Sequence, residues 1–451
     1  MNRASWGWTI LALAAATGCH SGPPAARSEP WNVVVLMVDT LRADRLDLYG
    51  YRRPTAPHLA ELARSGIVLR EARSQAACTY PSVNSMLTSR WPQHFLNRQD
   101  AFGFSIPDDT PALAEILAAR GYSTAAVSAS WIVRKTPSKI NPGGGFGRGF
   151  QTFDESCLER PGDCVNAQAE ALLDRLPQPF FLYLQYLDTH QPYRLPAGYT
   201  KRLATNLRGH PWALRGDVQH LTRGLYDRDP RSAFDADDVE TLRDLYDEKI
   251  AYFDERLAEL MARLQRGGLM ETTIVVLLSD HGEELLDHGQ WGHCRDIAYE
   301  TVLRTPFVLW VPGGPHGIER SGLARDLDLV PTLLDLLHLP YDPKAFAGTS
   351  LRPLFERDPD LPEISFALQG TNRVASDGRY KVWLDLAGGP PRVYDLRIGE
   401  HTPAINPDRP AVNRLAQALR EWIEREEGQT KDGNLRRARE NEMQLKALGY
   451  L

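Results

Sequence analysis

The stretch TTIVVLLSDHGEELLDHGQWGHCRD, residues 272–296, limits the choice of fold more than any other part of the chain. Ile274 to Leu278 form an unbroken apolar run with a β-branched bias. Such a run has no polar face, so it predicts a strand covered on both sides, the condition of a strand inside a parallel sheet. The run stops at Ser279, and Asp280, His281, Glu283, Glu284, Asp287, His288 and His293 follow. Open α/β sheets bind ligands just beyond the carboxyl ends of their strands. Asp280 and His281 put a carboxylate beside an imidazole, a donor pair suited to a divalent cation. A charged, solvated loop with scattered histidines is the plainer reading of the same residues.

Other segments repeat the pattern. The run WNVVVLMV, residues 31–38, ends at Asp39. PTAPHLAELARSG opens with Pro and closes with Gly, as a helix does. A strand-like pair around Ile67–Leu69 leads to Thr79-Tyr80-Pro81-Ser82. Pro81 suits the first turn of a helix, which puts Thr79 at or just before its N-terminus. There, backbone N–H groups and the helix dipole hold anions; a simple Thr N-cap is the commoner use of that position. TPALAEILAARGYSTAAVSAS reads as helix, stop and strand, and PFFLYLQYLDTHQPY as a strand that ends in Asp188 and His190. A long amphipathic helix, ADDVETLRDLYDEKIAYFDERLAELMARLQRGG, feeds the strand before Asp280. RTPFVLWVPG is the next strand and DLDLVPTLLDLLHLP a helix.

This alternation predicts an α/β domain over residues 31–360, with a mostly parallel central sheet flanked by helices. From 361 the texture changes to short antiparallel strands around a Gly/Pro turn, then a terminal helix and a charged tail. Residues 361–451 are therefore expected to form a small C-terminal α+β subdomain. Residues 199–234 are polar and irregular, an expected insertion at the substrate entrance. The Gly-rich stretch KINPGGGFGRGF lacks the spacing of a phosphate-binding loop and reads as surface. A net charge of −6 gives no reason to expect nucleic acid as a partner.

Residues 1–18 have the pattern of a secretory signal: Arg3, then an apolar run from Trp6 to Ala16. Ala16-Thr17-Gly18-Cys19 resembles a bacterial lipobox with Cys19 as the lipidated residue; simple secretion is the other reading. Residues 19–30 are then a lipoprotein tether, with the body in the cell envelope and membrane contact through the lipid anchor only. No later run reaches the ~18 apolar residues of a transmembrane helix. Exported proteins can form disulfides. Cys157 and Cys164 flank a turn-rich segment and could close a short loop. Cys78 and Cys294 lie in suspected site segments and could be free, paired or buried.

Asp39, Thr79, Asp188 with His190, and Asp280 with His281 thus arrive at the ends of successive strands. Asp39, Asp280 and His281 would coordinate one divalent metal ion. Thr79 would sit on it as the nucleophile, its hydroxyl acidified. His190, His288 and His293 could bind the anion, and His190 and His293 could act in catalysis by moving a proton. His58, His94, His210, His220, His316, His338 and His401 are read as structural or surface residues.

At these residues the chain resembles the sulfatase family, within the alkaline-phosphatase-like superfamily. VVVLMVDTLRADRLDLYGY, TYPSVNSMLTSR, FFLYLQYLDTHQPY, LYDEKIAYFDERL, TIVVLLSDHGEELLDHG, RTPFVLWVPG and the closing ALGYL carry the likeness, in the family's order. The resemblance implies an alkaline-phosphatase-like fold, one metal ion (Ca²⁺, Mn²⁺ or Zn²⁺) and hydrolysis of a sulfate or phosphate ester. The substrate could be a small molecule, a glycan or a lipid ester. The departures are specific. The place of the residue that sulfatases oxidise to formylglycine holds Thr79, and the following Arg place holds Val83. Thr40 stands where the family has a second carboxylate after the first strand, and His293 where relatives often have Lys.

A Thr nucleophile is similar to that of the superfamily's phosphoester enzymes and its envelope phosphoethanolamine and phosphoglycerol transferases. A sulfo-threonine would be hard to discharge, because it lacks the geminal hydroxyl through which hydrated formylglycine expels sulfate. That chemistry favours phosphorus. A transferase and a catalytically silent binding protein of the same fold are the alternatives.

Overall fold

A computed structural model describes residues 30–96, 106, 109–137, 144–204, 210, 234–355, 364–387, 390–404 and 407–427. The signal segment, Cys19, His220, most of the 199–234 insertion and the closing tail lie outside the described residues.

The apolar runs form the centre of an eight-stranded sheet. In chain order its strands are β1 (Asn32–Val38), β2 (Ile67–Arg73), β3 (Ser123–Ser128), β4 (Thr152–Asp154), β5 (Phe180–Tyr186) and β6 (Thr273–Leu278). After a hairpin of β7 (Glu284–Leu285) and β8 (Trp291–Gly292) come β9 (Phe307–Trp310) and β10 (Ile318–Arg325). The spatial order is β10-β2-β9-β6-β1-β5-β3-β4. Every neighbouring pair is parallel except those of β9, which runs against both β2 and β6. β1 lies between β6 and β5, with Asn32 opposite Thr273 and Val33 opposite Phe181. The strand-like pair at Ile67–Leu69 extends to Arg73 in β2.

Alternate residues of β1 enter different cores, because side chains on a strand point to opposite faces. Val34, Leu36 and Val38 pack with α1 (Pro57–Arg64) and with two further helices introduced below. Val33, Val35 and Met37 pack with α2 (Thr79–Thr88), α3 (Gln93–Leu96) and α4 (Leu113–Ala118) on the other face. The two further helices on the first face are α5 (Gly162–Leu173) and α6 (Ala236–Arg266). A short α7 (Glu300–Leu303) precedes β9, and α8 (Leu329–Leu336) joins the second core. Both faces are covered, which is why the runs need no alternation; burying each Val or Leu stabilises by about 1.5–3 kcal/mol.

The C-terminal region holds an antiparallel sheet, β11 (Ser365–Gln369), β12 (Asn372–Ser376), β13 (Tyr380–Asp385) and β14 (Arg392–Asp395), with α9 (Arg409–Glu427) packed on it. It is fastened to the main sheet. Leu368 N donates to Gln75 O at 3.0 Å, and the buried Lys381 ammonium bridges Glu300 and Glu400. The described residues from Trp31 onward cluster as one compact unit. Among the described residues two disulfides are present, Cys157–Cys164 and Cys78–Cys294. No described helix is long and apolar enough to cross a membrane.

Candidate active site

Central strands deliver side chains to one place at the carboxyl edge of the sheet. β1 ends in Asp39, which is buried. The next residue, Thr40, has φ of +60°, an uncommon conformation for a β-branched residue. Three bonds hold it there. Thr40 N donates to Asp280 Oδ1 at 3.2 Å, Thr40 O accepts from Tyr246 OH at 2.6 Å, and Thr40 Oγ1 donates to Asp39 O at 2.7 Å. The Thr40 hydroxyl is therefore spent on its own backbone. Asp39 Oδ2 accepts from Gln185 Nε2 at 3.4 Å, while Oδ1 is buried with no hydrogen-bond partner.

β6 delivers Asp280 and His281, both fully buried. Asp280 Oδ1 accepts from the N–H groups of Thr40 and His281; Oδ2 has no hydrogen-bond partner. His281 Nδ1 lies 2.9 Å from the Gly282 carbonyl, which can only accept, so Nδ1 carries the proton and Nε2 keeps its lone pair. Asp39, Asp280 and His281 each offer a ligand atom, all within 4.8 Å of one another. Two orphaned carboxylate oxygens and an imidazole lone pair, all buried, fit a divalent cation; the mixed oxygen and nitrogen set admits Mn²⁺ or Zn²⁺ as well as Ca²⁺.

β2 leads into α2, and Thr79 is the first residue of that helix. Its Oγ1 lies 3.2 Å from His281 Nε2. The helix start is tied to the β6 end, because Ser82 Oγ donates to Asp280 O at 2.6 Å. His190, beyond β5, gives its Nδ1 proton to the Gln191 carbonyl. His293, beyond β8, gives its Nδ1 proton to Glu283 Oε1 at 2.9 Å. Its ring centroid is 4.6 Å from that of His281 and 4.9 Å from that of His190. In both rings Nε2 is left as the atom available to a substrate.

The structure thus brings together Asp39, Thr79, Asp280, His281, His190 and His293. It places His288 elsewhere, a correction to its expected part in substrate binding. The His288 ring stacks on Tyr299 at 3.8 Å, its Nδ1 pairs with Glu284 at 2.8 Å, and it lines a separate cavity of about 490 Å³ with Asp287 and His401. The cause is the β7–β8 hairpin: His288 lies in the turn between its strands and His293 just past the end of β8. Asp188 is also corrected: it turns into the protein, accepting from Gly162 N at 3.1 Å and lying 3.6 Å from Lys249 Nζ.

Glu283 and Gln185 also belong to the site, although no local pattern assigns them a role. Glu283 orients His293 and accepts from Tyr193 OH at 2.6 Å. Gln185 was legible as the one strongly polar side chain inside the apolar run of β5. Asp326 is buried behind the site with one oxygen on Thr305 Oγ1 at 3.0 Å and the other without a partner. Nothing in its local sequence marked it.

Burial, then the nearby Asp280 and Glu283 carboxylates, hold the Asp39 carboxyl well above the usual carboxylate range. Burial and the facing His293 push His190 down to about 4. Burial and His281 hold His293 well below an ordinary histidine. The Asp39 shift has a measurable sign. In the window between its unfolded and folded values, the folded metal-free protein binds the extra proton. Its stability therefore falls as pH rises through that window. A cation must displace that proton, so Mn²⁺ affinity should rise by up to about tenfold per pH unit across the window and then level off. Calorimetric titration between pH 5 and 8 reads this directly, and a flat profile would remove Asp39 from the cation site.

The family model described as Sulfatase matches residues 31–339. An arylsulfatase of Clostridium perfringens is 28% identical over 291 residues, covering 60% of this chain and 59% of the relative. Human iduronate 2-sulfatase is 24% identical over 350 residues, covering 64% of this chain and 61% of the relative. The chain thus spans about three fifths of the length of these curated relatives. The solved structure of a phosphonate monoester hydrolase from Silicibacter pomeroyi superimposes with a TM-score of 0.67 at 21% identity, over 90% of this chain and 96% of that one, which is a likeness of fold.

Proposed function

Because the chain belongs to the sulfatase family, we propose that it is a metal-dependent hydrolase of phosphate or sulfate esters in which Thr79 is the nucleophile. The observation that carries this reading is the position of Thr79 Oγ1 at a helix start, 3.2 Å from His281 Nε2, in a group whose buried carboxylate oxygens lack partners. A divalent cation bound by Asp39, Asp280 and His281 would supply Lewis-acid polarisation of the ester and favour ionisation of the Thr79 hydroxyl.

The rest follows from the chain's own groups. Thr79 Oγ attacks the phosphorus or sulfur, the bond to the leaving alcohol breaks, and the transferred group becomes an ester of Thr79. Backbone N–H groups at the start of α2 support the oxyanion. His190 and His293 present Nε2 as a lone pair to the site; one takes the proton that Thr79 Oγ loses on attack and passes it to the leaving oxygen, and in the second step one takes a proton from the attacking water and returns it to Thr79 Oγ as the ester bond to Thr79 breaks. Glu283 holds the His293 ring in the tautomer this needs.

The disulfide at Cys78 bears on the atom under attack. Its sulfur is bonded to Cys294, so oxidation of Cys78 to formylglycine has no free thiol to start from. A Thr79 ester is readily discharged when it is a phosphate and poorly when it is a sulfate, which supports phosphorus as the natural centre. Purified protein tested against aryl sulfates, phosphate monoesters, diesters and phosphonates, with metal analysis, decides the matter. Turnover of a phosphorus ester at least about tenfold above any aryl sulfate is expected. Rapid aryl sulfate turnover together with a loss of mass at Cys78 would overturn the reading.

The reading extends to location. The two disulfides support an exported protein, and Cys19 is proposed as its lipid attachment in the cell envelope. Cys19→Ala should move the protein from the membrane fraction to the soluble fraction. Unchanged membrane association would exclude the anchor.

A further inference from the structure

We infer that the Cys78–Cys294 disulfide is a positioning clamp for catalysis, holding the Thr79 hydroxyl and the His293 ring in register across the cation site. The inference rests on the reading of Thr79 as the nucleophile.

The bond joins two residues that each adjoin a reacting group. Cys78 is the N-cap of α2, and Thr79 is the next residue. Cys294 directly follows His293. The two cysteines are 216 residues apart in sequence, with Cα atoms 4.5 Å apart. A backbone bond reinforces the link, since Cys294 N donates to Ala77 O at 2.8 Å. Cys294 itself sits at φ of +59°, a conformation that a residue with a Cβ adopts only where its surroundings impose it.

The clamp matters because the element carrying His293 is slight. β7 and β8 are two residues each: Glu284 pairs with Gly292 and Leu285 with Trp291, one further backbone bond runs from Leu286 N to Gln290 O at 2.9 Å, and His293 lies past the end of β8. Thr79 and His293 each face His281, Thr79 through Oγ1 at 3.2 Å and His293 through its ring at 4.6 Å. The covalent link between the nucleophile and this hairpin is the disulfide. A misplacement of about 1 Å between reacting groups can cost on the order of a hundredfold in rate. The second disulfide provides an internal contrast. Cys157–Cys164 closes a separation of 7 residues at the start of α5, in the first core.

Both site cysteines are half-buried, within reach of a small dithiol. Dithiothreitol would deliver two electrons and two protons to the S–S bond, leaving two thiols and itself becoming the cyclic disulfide. The experiment uses the full metal-loaded chain and its best ester from the panel above. It compares wild type, C78S/C294S and C157S/C164S, with metal content and circular dichroism recorded for each. For C78S/C294S, kcat should fall ten- to a hundredfold, with KM within about threefold and metal stoichiometry unchanged. C157S/C164S should keep kcat within about twofold. Reduction of the wild type should reproduce the fall, and reoxidation should restore it.

A wild-type kcat in folded, metal-loaded C78S/C294S overturns the clamp, and so does a loss of rate that merely tracks loss of folded protein. If C78S/C294S does not fold, the reversible reduction of wild type decides. The two possible failures are separable. An active T79A enzyme sinks the nucleophile reading whatever the cysteines do. A dead T79A beside a C78S/C294S enzyme of wild-type kcat sinks the clamp alone.

Discussion

Asp280→Ala is expected to abolish cation binding and ester turnover together. Asp280 is fully buried and divides its two oxygens between two tasks. Oδ1 accepts from the N–H groups of Thr40 and His281, at 3.2 and 2.9 Å. Oδ2 is one of the orphaned oxygens of the cation site. Truncation therefore removes a ligand and also frees the strained turn at Thr40 that aims Asp39. Losing several kcal/mol of transition-state stabilisation corresponds to a rate loss of about a thousandfold or more.

Asp280→Asn separates the two tasks. Its amide oxygen can still accept the backbone N–H groups, so the fold should persist while the charge that holds the cation is gone. Without the cation, removing that charge also relieves Asp39, whose carboxyl Asp280 helps to hold in its raised range. Metal-free Asp280→Asn should thus be more stable near neutral pH than metal-free wild type. Metal analysis, thermal melts and the ester panel read all three effects. Wild-type activity with metal retained in Asp280→Ala would sink the site assignment.

Thr79→Ala should remove turnover and leave the protein folded. The side chain is buried at the first position of α2, and its hydroxyl lies 3.2 Å from His281 Nε2. The change deletes a hydroxyl and a methyl group without touching the metal carboxylates, so metal content should stay at the wild-type value. Removing a covalent nucleophile typically costs on the order of 10⁴-fold or more. Thr79→Ser keeps the hydroxyl and should retain measurable activity. Quenched turnover should trap a phosphoryl-sized mass on the peptide that carries Thr79. Turnover by the Ala variant at a rate close to wild type would place the nucleophile elsewhere.

The course from residues to site was uneven. β1 and β6 were legible because a strand buried on both faces must be apolar throughout, and that pattern is local. The acids at their ends followed at once, since a parallel sheet brings its carboxyl ends to one edge. Thr79 was legible through Pro81, which marks a helix start. β9 was expected as a strand, but its direction was not; an antiparallel neighbour carries the same apolar pattern as a parallel one.

The histidines show where local reading fails. His288 and His293 lie in one ligand-rich stretch, and from the sequence both are candidates to bind the anion. The β7–β8 hairpin separates them, sending His293 to the cation site and His288 onto Tyr299. Glu283 and Gln185 took on meaning only once His293 and Asp39 stood beside them.

By itself, the sequence determined the sheet, its covered faces and the edge at which Asp39, Thr79, Asp280 and His281 would gather. Those features depend on hydrophobic periodicity and helix punctuation, which short stretches of chain carry. Only the tertiary structure decided which histidines join the site, which carboxylate oxygens lack partners, and that Cys78 is bound to Cys294 rather than left as a thiol. Each of these depends on contacts between residues far apart in the chain, and no local pattern encodes which distant partner a side chain will meet.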